Sequence, residues 1–162
     1  MDGQFICNVL ENDKYTKLYF HGLGNIDEYP LVPPDRPCFF VFNTDVSDGP
    51  GEHWVVMYLQ NNRMGEFFDS FGRSPVECNL DSFFKFHTEY KITYNNKLIQ
   101  HIASSACGFH CLFFALMRCR GYSLSNIVHM YSSDTMWNDK TVKKTNFEKL
   151  WKLETKLRGP IG

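Results

Sequence analysis

Four side chains of this sequence have the types and the order that thiol chemistry on a carbonyl requires: His53, Asp69, Gln100 and Cys107. Cys107 follows a polar run of small residues, Gln100-His-Ile-Ala-Ser-Ser-Ala, and opens an apolar segment that reads as a buried helix through about Arg120, closed by Gly121. A cysteine at a helix N-terminus sits at the positive end of the peptide dipoles, which favours thiolate over thiol. The unpaired amide N–H groups there can also hold an anionic oxygen. These are two of the needs of a sulfur nucleophile attacking a carbonyl, and Cys107 is read as that nucleophile. His53, where a glycine-rich turn meets a strand, is the candidate base. Asp69 ends the neighbouring strand of a predicted hairpin, whose register brings it beside His53, where a carboxylate can fix the tautomer and stabilise the imidazolium. Gln100, seven residues before Cys107, can complete an oxyanion hole with the Cys107 backbone N–H.

Each residue alone has a plainer explanation. A histidine before a tryptophan is usually structural, and an aspartate before Ser-Phe-Gly is by default a turn residue. The other cysteines, Cys7, Cys38, Cys78, Cys111 and Cys119, read as core thiols. Metal binding by His101, Cys107, His110 and Cys111 is disfavoured, because no second Cys-x₂-Cys or His-x₃-His pair completes a tetrahedral set.

The elements that must position these residues follow from hydrophobic periodicity. Residues 2–12 read as a short helix capped by Asp2, with Phe5, Ile6, Val9 and Leu10 on one face. The Pro-rich run from Pro30 to Pro37 cannot be helical throughout. Cys38-Phe-Phe-Val-Phe-Asn43 is an apolar run suited to a strand covered on both faces. Trp54–Leu59 and Glu66–Asp69 form a hairpin across Gln60–Gly65. Val76, Leu80, Phe83, Phe84 and His87 recur at helical spacing, while Tyr90–Tyr94 and Lys97–Gln100 read as short strands. Two further helices are expected near Ser123–Tyr131 and Thr141–Leu157. The fold class is α+β: a mostly antiparallel central sheet packed by helices, in a single domain over residues 1–162.

Composition narrows the class. An apolar fraction of 43% and fifteen phenylalanines suit one aromatic-rich core. The net charge is −1, although residues 138–162 carry seven Lys/Arg against three Asp/Glu, a local +4 that leaves −5 elsewhere. That tail reads as the solvated side of an amphipathic helix, with contact to DNA as the alternative. No basic leader or membrane-length apolar run is seen, so the chain is expected to be soluble, intracellular, reduced at its cysteines and monomeric, with no membrane partner.

Taken together, the residues resemble the adenovirus-type cysteine protease family, with its relatives in Maverick/Polinton-type elements. That family shares a clan with the Ulp-type proteases of ubiquitin-like proteins. The resemblance spans about Leu18 to Arg120 and rests on Cys38–Thr44, on Gly51-Glu-His53-Trp54, on Phe68-Asp69-Ser-Phe-Gly72, and on Gln100 spaced before Ser-Ala-Cys107-Gly108. The chain order His, acid, Gln, Cys is its most specific part; papain-like enzymes place Cys before His. Adenovirus enzymes carry Glu where Asp69 stands, whereas the Ulp branch uses Asp.

The resemblance implies a thiol endopeptidase that cleaves viral capsid or core precursors after glycine, with Asn43, Gly51 and Trp54 bordering the substrate channel. It also implies a location in the virion or host nucleus. No cofactor is required for the chemistry, but an activating peptide or DNA is a family trait. The cysteine that links that peptide has no counterpart around Thr88–Thr93. A deconjugating protease for ubiquitin-like proteins, an acyltransferase of the same clan, and a non-catalytic interaction module are the alternatives.

Overall fold

The computed structural model describes residues 1–28, 37–45, 53–60, 63–80, 83 and 91–145. A helix α1 (Gly3–Asn12) and a 3₁₀ turn (Thr16–Leu18) precede strands β1 (Phe20–Asn25), β2 (Cys38–Asn43), β3 (Trp54–Leu59), β4 (Met64–Phe68) and β5 (Lys91–Tyr94). Helices α2 (Cys107–Cys119), α3 (Leu124–His129) and α4 (Thr135–Lys143) follow. The strands form one sheet in sequence order. The β2–β3 and β3–β4 pairs are antiparallel, and β1 and β5 each join in parallel, so the sheet is mixed within an α+β fold.

The continuous apolar run of β2 is buried at all six positions, as a strand covered on both faces requires. Its side chains alternate between two layers. Phe39 and Val41 join Val56, Tyr58 and Phe68 in the core beneath α1, α2, α3 and α4. Cys38, Phe40 and Phe42 turn the other way with Val55, Met57, Leu59 and Phe67, against Cys78, Leu80 and Phe83. Helix α2 is buried along nine of its thirteen residues. Phe114 stacks on Phe68 with ring centroids 4.7 Å apart. At its far end Arg118 Nε donates to Glu66 at 2.6 Å, and the guanidinium lies 4.4 Å over Tyr58. Arg120 grips Asp13 with both terminal nitrogens, tying α2 to the end of α1.

Helix α1 has the expected N-cap, with Asp2 Oδ1 accepting from Phe5 N, and it buries Ile6 and Leu10; Phe5 stays exposed. The Trp54–Leu59 hairpin forms as expected, its second strand starting at Met64. Helix α3 takes its N-cap from Ser123, and Gly121 closes α2 with φ +97°.

Three local expectations change, and one strand, β1, is added to those expected. Lys97–Gln100 is not a strand: the N–H groups of Ile99 and Gln100 both donate to the Ser70 carbonyl, so the segment packs on the 69–72 turn and not on a strand. The last helix starts at Thr135, six residues early, because Asp134 caps it by accepting from Trp137 N; residues 146–157 of that expectation lie outside the described residues. Residues 75–79 are turns, with Leu80 N bonded to Pro75 O, and most of the expected helix beyond them lies outside the described residues. β1, in the stretch Leu18–Gly24, was unreadable by periodicity because two glycines interrupt it.

The 69–72 turn needs glycine. Gly72 has φ +73°, and a Cβ there would lie 2.7 Å from the Lys97 carbonyl oxygen. Gly72→Ala is therefore expected to lower unfolding free energy by about 2 kcal/mol or more, strain and collision adding. Chemical denaturation of parent and variant measures it.

Candidate active site

The β2–β3 ladder is prolonged by Thr44 N donating to His53 O at 2.8 Å, which fixes His53 at the end of the sheet. Val56 faces Phe68 across β3–β4, so Asp69, one residue beyond Phe68, emerges at that same end. There His53 Nε2–H donates to Asp69 Oδ1 at 2.5 Å. The other ring nitrogen, Nδ1, is left for Cys107, which lines the same cleft and whose pKa and that of His53 are each shifted by the other. Cys107 is the first residue of α2. The structure thus brings together three of the four residues singled out by type and order, in the sequence thiol, imidazole, carboxylate.

Asp69 is fully buried and fully served. Oδ1 also accepts from Phe71 N at 3.1 Å, and Oδ2 accepts from Arg73 N at 3.0 Å, Arg73 Nε at 2.9 Å and Cys78 Sγ at 3.7 Å. Its main chain is pinned by Asn95, which accepts from Asp69 N and donates to Asp69 O. Burial alone would raise its pKa; the His53 bond and charge, then Arg73 and Phe71 N–H, overcome this and hold it at about 2. The Phe71 ring stacks with the imidazole, centroids 4.8 Å apart at 24°, and its centroid lies 5.3 Å from the Arg73 guanidinium carbon.

His53 and Cys107 shift in opposite senses. Burial pulls His53 down, but the bonds and charges of Asp69 and Cys107 outweigh it and raise its pKa. Burial pushes Cys107 up; the His53 bond, the Trp54 backbone N–H, the His53 charge and the Gly108 N–H outweigh it and lower its pKa. Both shifts favour a thiolate–imidazolium pair. None of the cysteines is in a disulfide; burial drives Cys78 and Cys119 to about 12, Cys111 far above the thiol range, and Cys7 upward.

These groups line a cleft of about 860 Å³ with Met1, Asp2, Asn25, Asn43, Thr44, Trp54, Phe71, Arg73, Gln100, Ser104 and Ser105. Gln100 is buried at the cleft wall. Its Oε1 accepts from Ser70 Oγ at 2.6 Å, and Nε2 gives one N–H to the Ser104 carbonyl at 2.7 Å. The second N–H has no acceptor among the described residues. No side chain caps the start of α2. Asn43 lies in the cleft wall, its Oδ1 accepting from Asp45 N. Half-buried Trp54 donates from Nε1 to Met1 O at 3.2 Å. Gly51 lies outside the described residues.

Sequence reading missed Arg73, Asn95 and the Met1–Asp2 edge of the cleft. Only Arg73 carried a local signal: Asp69-Ser-Phe-Gly-Arg is an Asx-type turn with glycine, which places the next N–H on the carboxylate. Among the described residues no group of three or more His, Cys, Asp or Glu is placed to hold a metal ion, and no helix is long and apolar enough to cross a membrane.

The chain is similar to viral proteins named as thiol proteases. A cysteine protease of African swine fever virus (isolate Tick/Malawi/Lil 20-1/1983) is 28% identical over 122 residues, 67% of this chain and 43% of the relative. A candidate thiol protease of Acanthamoeba polyphaga mimivirus is 31% identical over 135 residues, 78% of this chain and 40% of the relative. The crystal structure of the African swine fever virus protease matches with TM-score 0.43 at 25% identity, covering 66% of this chain and 44% of that one. The aligned region spans less than half the length of the curated relatives. No family model matches the chain.

Two measurements test the electrostatics. Iodoacetamide at pH 6 is expected to alkylate Cys107 at least about tenfold faster than any of Cys7, Cys78, Cys111 or Cys119, since only the thiolate reacts. Peptide mapping reads this, and Asp69→Asn should move the rate profile to higher pH. Asp69 also links stability to pH. Its folded pKa of about 2 lies below the ordinary 3.8. Its contribution, on the order of 2 kcal/mol, is therefore complete above the ordinary value and lost as pH falls through the folded one. Acid unfolding of parent against Asp69→Asn is expected to show that difference vanish below about pH 2.

Proposed function

We propose that this chain is a cysteine endopeptidase of viral type, in which Cys107 is the nucleophile, His53 the acid–base, Asp69 the carboxylate that orients it, and Gln100 with the Cys107 N–H the oxyanion hole. The observation that carries the reading is the convergence of Cys107, His53 and Asp69 at one open cleft, His53 bonded to Asp69, with Cys107 drawn toward thiolate while Cys7, Cys78, Cys111 and Cys119 are driven away from it. The likeness to two viral proteins named as thiol proteases supports the same class.

In the reaction, the Cys107 proton resides on His53 Nδ1, and the thiolate adds to the scissile carbonyl carbon. The oxyanion is met by the second Gln100 Nε2–H, the one not bonded to Ser104 O, and by the Cys107 backbone N–H. His53 returns its proton to the leaving nitrogen as the C–N bond breaks, giving a thioester and an amine. Water then adds, its proton passing to His53; the C–S bond breaks and an acid is released. No step calls on a cofactor. Asp69, held by Arg73 and the 69–72 turn, stays ionised throughout and keeps Nε2 protonated.

For the substrate, we infer a protein chain cut after glycine. Trp54, Phe71 and Asn43 border the cleft, and a backbone that must pass closely between such walls favours residues without a Cβ. Precursors of viral structural proteins suit the viral relatives, with action in the virion or host nucleus. The alternative is a ubiquitin-like fusion, which the aspartate at position 69, the Ulp-branch choice, favours. An activating peptide or DNA remains a proposal, tested by adding each to the purified protein and measuring turnover.

A fluorogenic Leu-x-Gly-x peptide tests the chemistry. Cys107→Ser is expected to abolish cleavage, and Gln100→Ala to lower kcat by about 10²–10³ with KM little changed. Parent-like turnover in Cys107→Ser would overturn the reading. Comparing that peptide with a Gly-Gly-X fusion of a ubiquitin-like protein separates the two substrate classes.

A further inference from the structure

Helix α4 lies beyond the four residues just discussed, yet two adjacent side chains on it reach the main chain on both sides of Gln100. Asn138 Nδ2 donates to the Ile99 carbonyl at 3.0 Å, and Asp139 Oδ2 accepts from His101 N at 3.1 Å. Both side chains belong to nearly buried residues. Asn138 is itself held, its Oδ1 accepting from Ser132 N at 2.9 Å and Nδ2 donating to Ser132 O at 2.8 Å. Asp139 has a second hold: Oδ1 accepts from His110 Nε2 at 2.8 Å. His110 is fully buried on α2, one turn past Cys107, and its Nδ1 faces the Tyr131 hydroxyl at 3.2 Å.

Asp139 therefore joins the segment carrying Gln100 to the helix carrying Cys107. The Gln100 backbone N–H and side-chain Oε1 are meanwhile both bonded to Ser70, the residue after Asp69. A side-chain amide aimed at a developing oxyanion acts only if its backbone cannot rotate, because donors contribute through preorganised geometry. Nothing in the 101–106 loop supplies that rigidity from outside: its internal bonds run from Ser104 N to His101 O, Ala103 N to His101 Nδ1 and Ala106 N to Ser104 Oγ. Beyond the Ser70 bonds, the outside support comes from α4.

We propose that Asn138 and Asp139 are positioning residues that clamp the Gln100 main chain, and through His110 set its distance from Cys107. The inference rests on the endopeptidase reading for its kinetic arm and on geometry alone for its spectroscopic arm.

Shape-preserving variants test it. Asn138→Asp removes the donor to Ile99 O while keeping the acceptor for Ser132 N; Asp139→Asn leaves a single acceptor oxygen for two donors. Each is expected to lower kcat about tenfold, with KM and the Cys107 alkylation rate within about twofold of parent. In a Gln100→Ala background the same substitutions should change kcat less than twofold. Losses that multiply with Gln100→Ala, or an alkylation rate that falls in step with kcat, overturn the clamp and mark a merely structural role. Independently of activity, the Gln100 side-chain amide protons, followed by NMR in labelled full-length chain, should exchange slowly with solvent in the parent and at least about tenfold faster in either variant. Equal exchange overturns the clamp even should the parent cleave no peptide, whereas an inactive parent with protected amides that are released in the variants would sink only the endopeptidase reading.

Discussion

A buried carboxylate organises this end of the molecule. Asp69 is removed from water, where an ionised group survives only if every lone pair finds a donor. It finds them in His53, Phe71 N, Arg73 N, Arg73 Nε and the Cys78 thiol. Three of those donors come from the five-residue turn that begins at Asp69 itself. The turn exists because Gly72 can take φ +73° against the Lys97 carbonyl. A local backbone requirement is in this way converted into a fixed negative charge, and the charge into a protonated imidazole beside a sulfur.

The rest of the fold supplies the meeting place. Antiparallel pairing of β3 with β4 returns the chain to the sheet end where it entered, so residues sixteen apart in sequence become neighbours. Helix α2 then delivers Cys107 from the helical layer to that same end, anchored at the other by Arg118 and Arg120. The two layers are locked by the Phe68–Phe114 stack, one residue from Asp69 on one side and mid-helix on the other. Small rigid-body shifts of α2 would move the sulfur directly, which is why tight aromatic packing under it matters to the chemistry.

Much of this was legible in the residues. The hairpin that pairs His53 with Asp69, the Asp2 cap, the doubly covered β2 and the helix beginning at Cys107 all follow from patterns of period two or 3.6, or from capping chemistry. What escaped detection was determined by tertiary contacts. The glycine-broken β1 has no alternation to read and forms because β2 offers it an edge. Lys97–Gln100 has the composition of a strand but surrenders its N–H groups to Ser70 O. Asn95, Asn138 and Asp139 look like ordinary surface polar residues in sequence. They reach the site over separations of 26 residues to nearly forty, and no spacing rule announces such bonds.

Two cysteines on one helix show how their surroundings move a thiol's acidity in opposite directions. Cys107 and Cys111 are one turn apart, and simple burial would suppress both. Cys111 is sealed in the core, where burial and then the charges of Cys107 and Asp69 disfavour its thiolate. Cys107 also pays for burial, yet it stands at the helix start, where Trp54 and Gly108 each turn an N–H toward the sulfur and His53 adds a charge. Exposure alone does not make the difference, since half-buried Cys119 is driven to about 12. Donors do. The same helix can therefore carry several thiols through the core and favour the thiolate of a single one, because its N-terminus and the start of β3 both bring donors to one place.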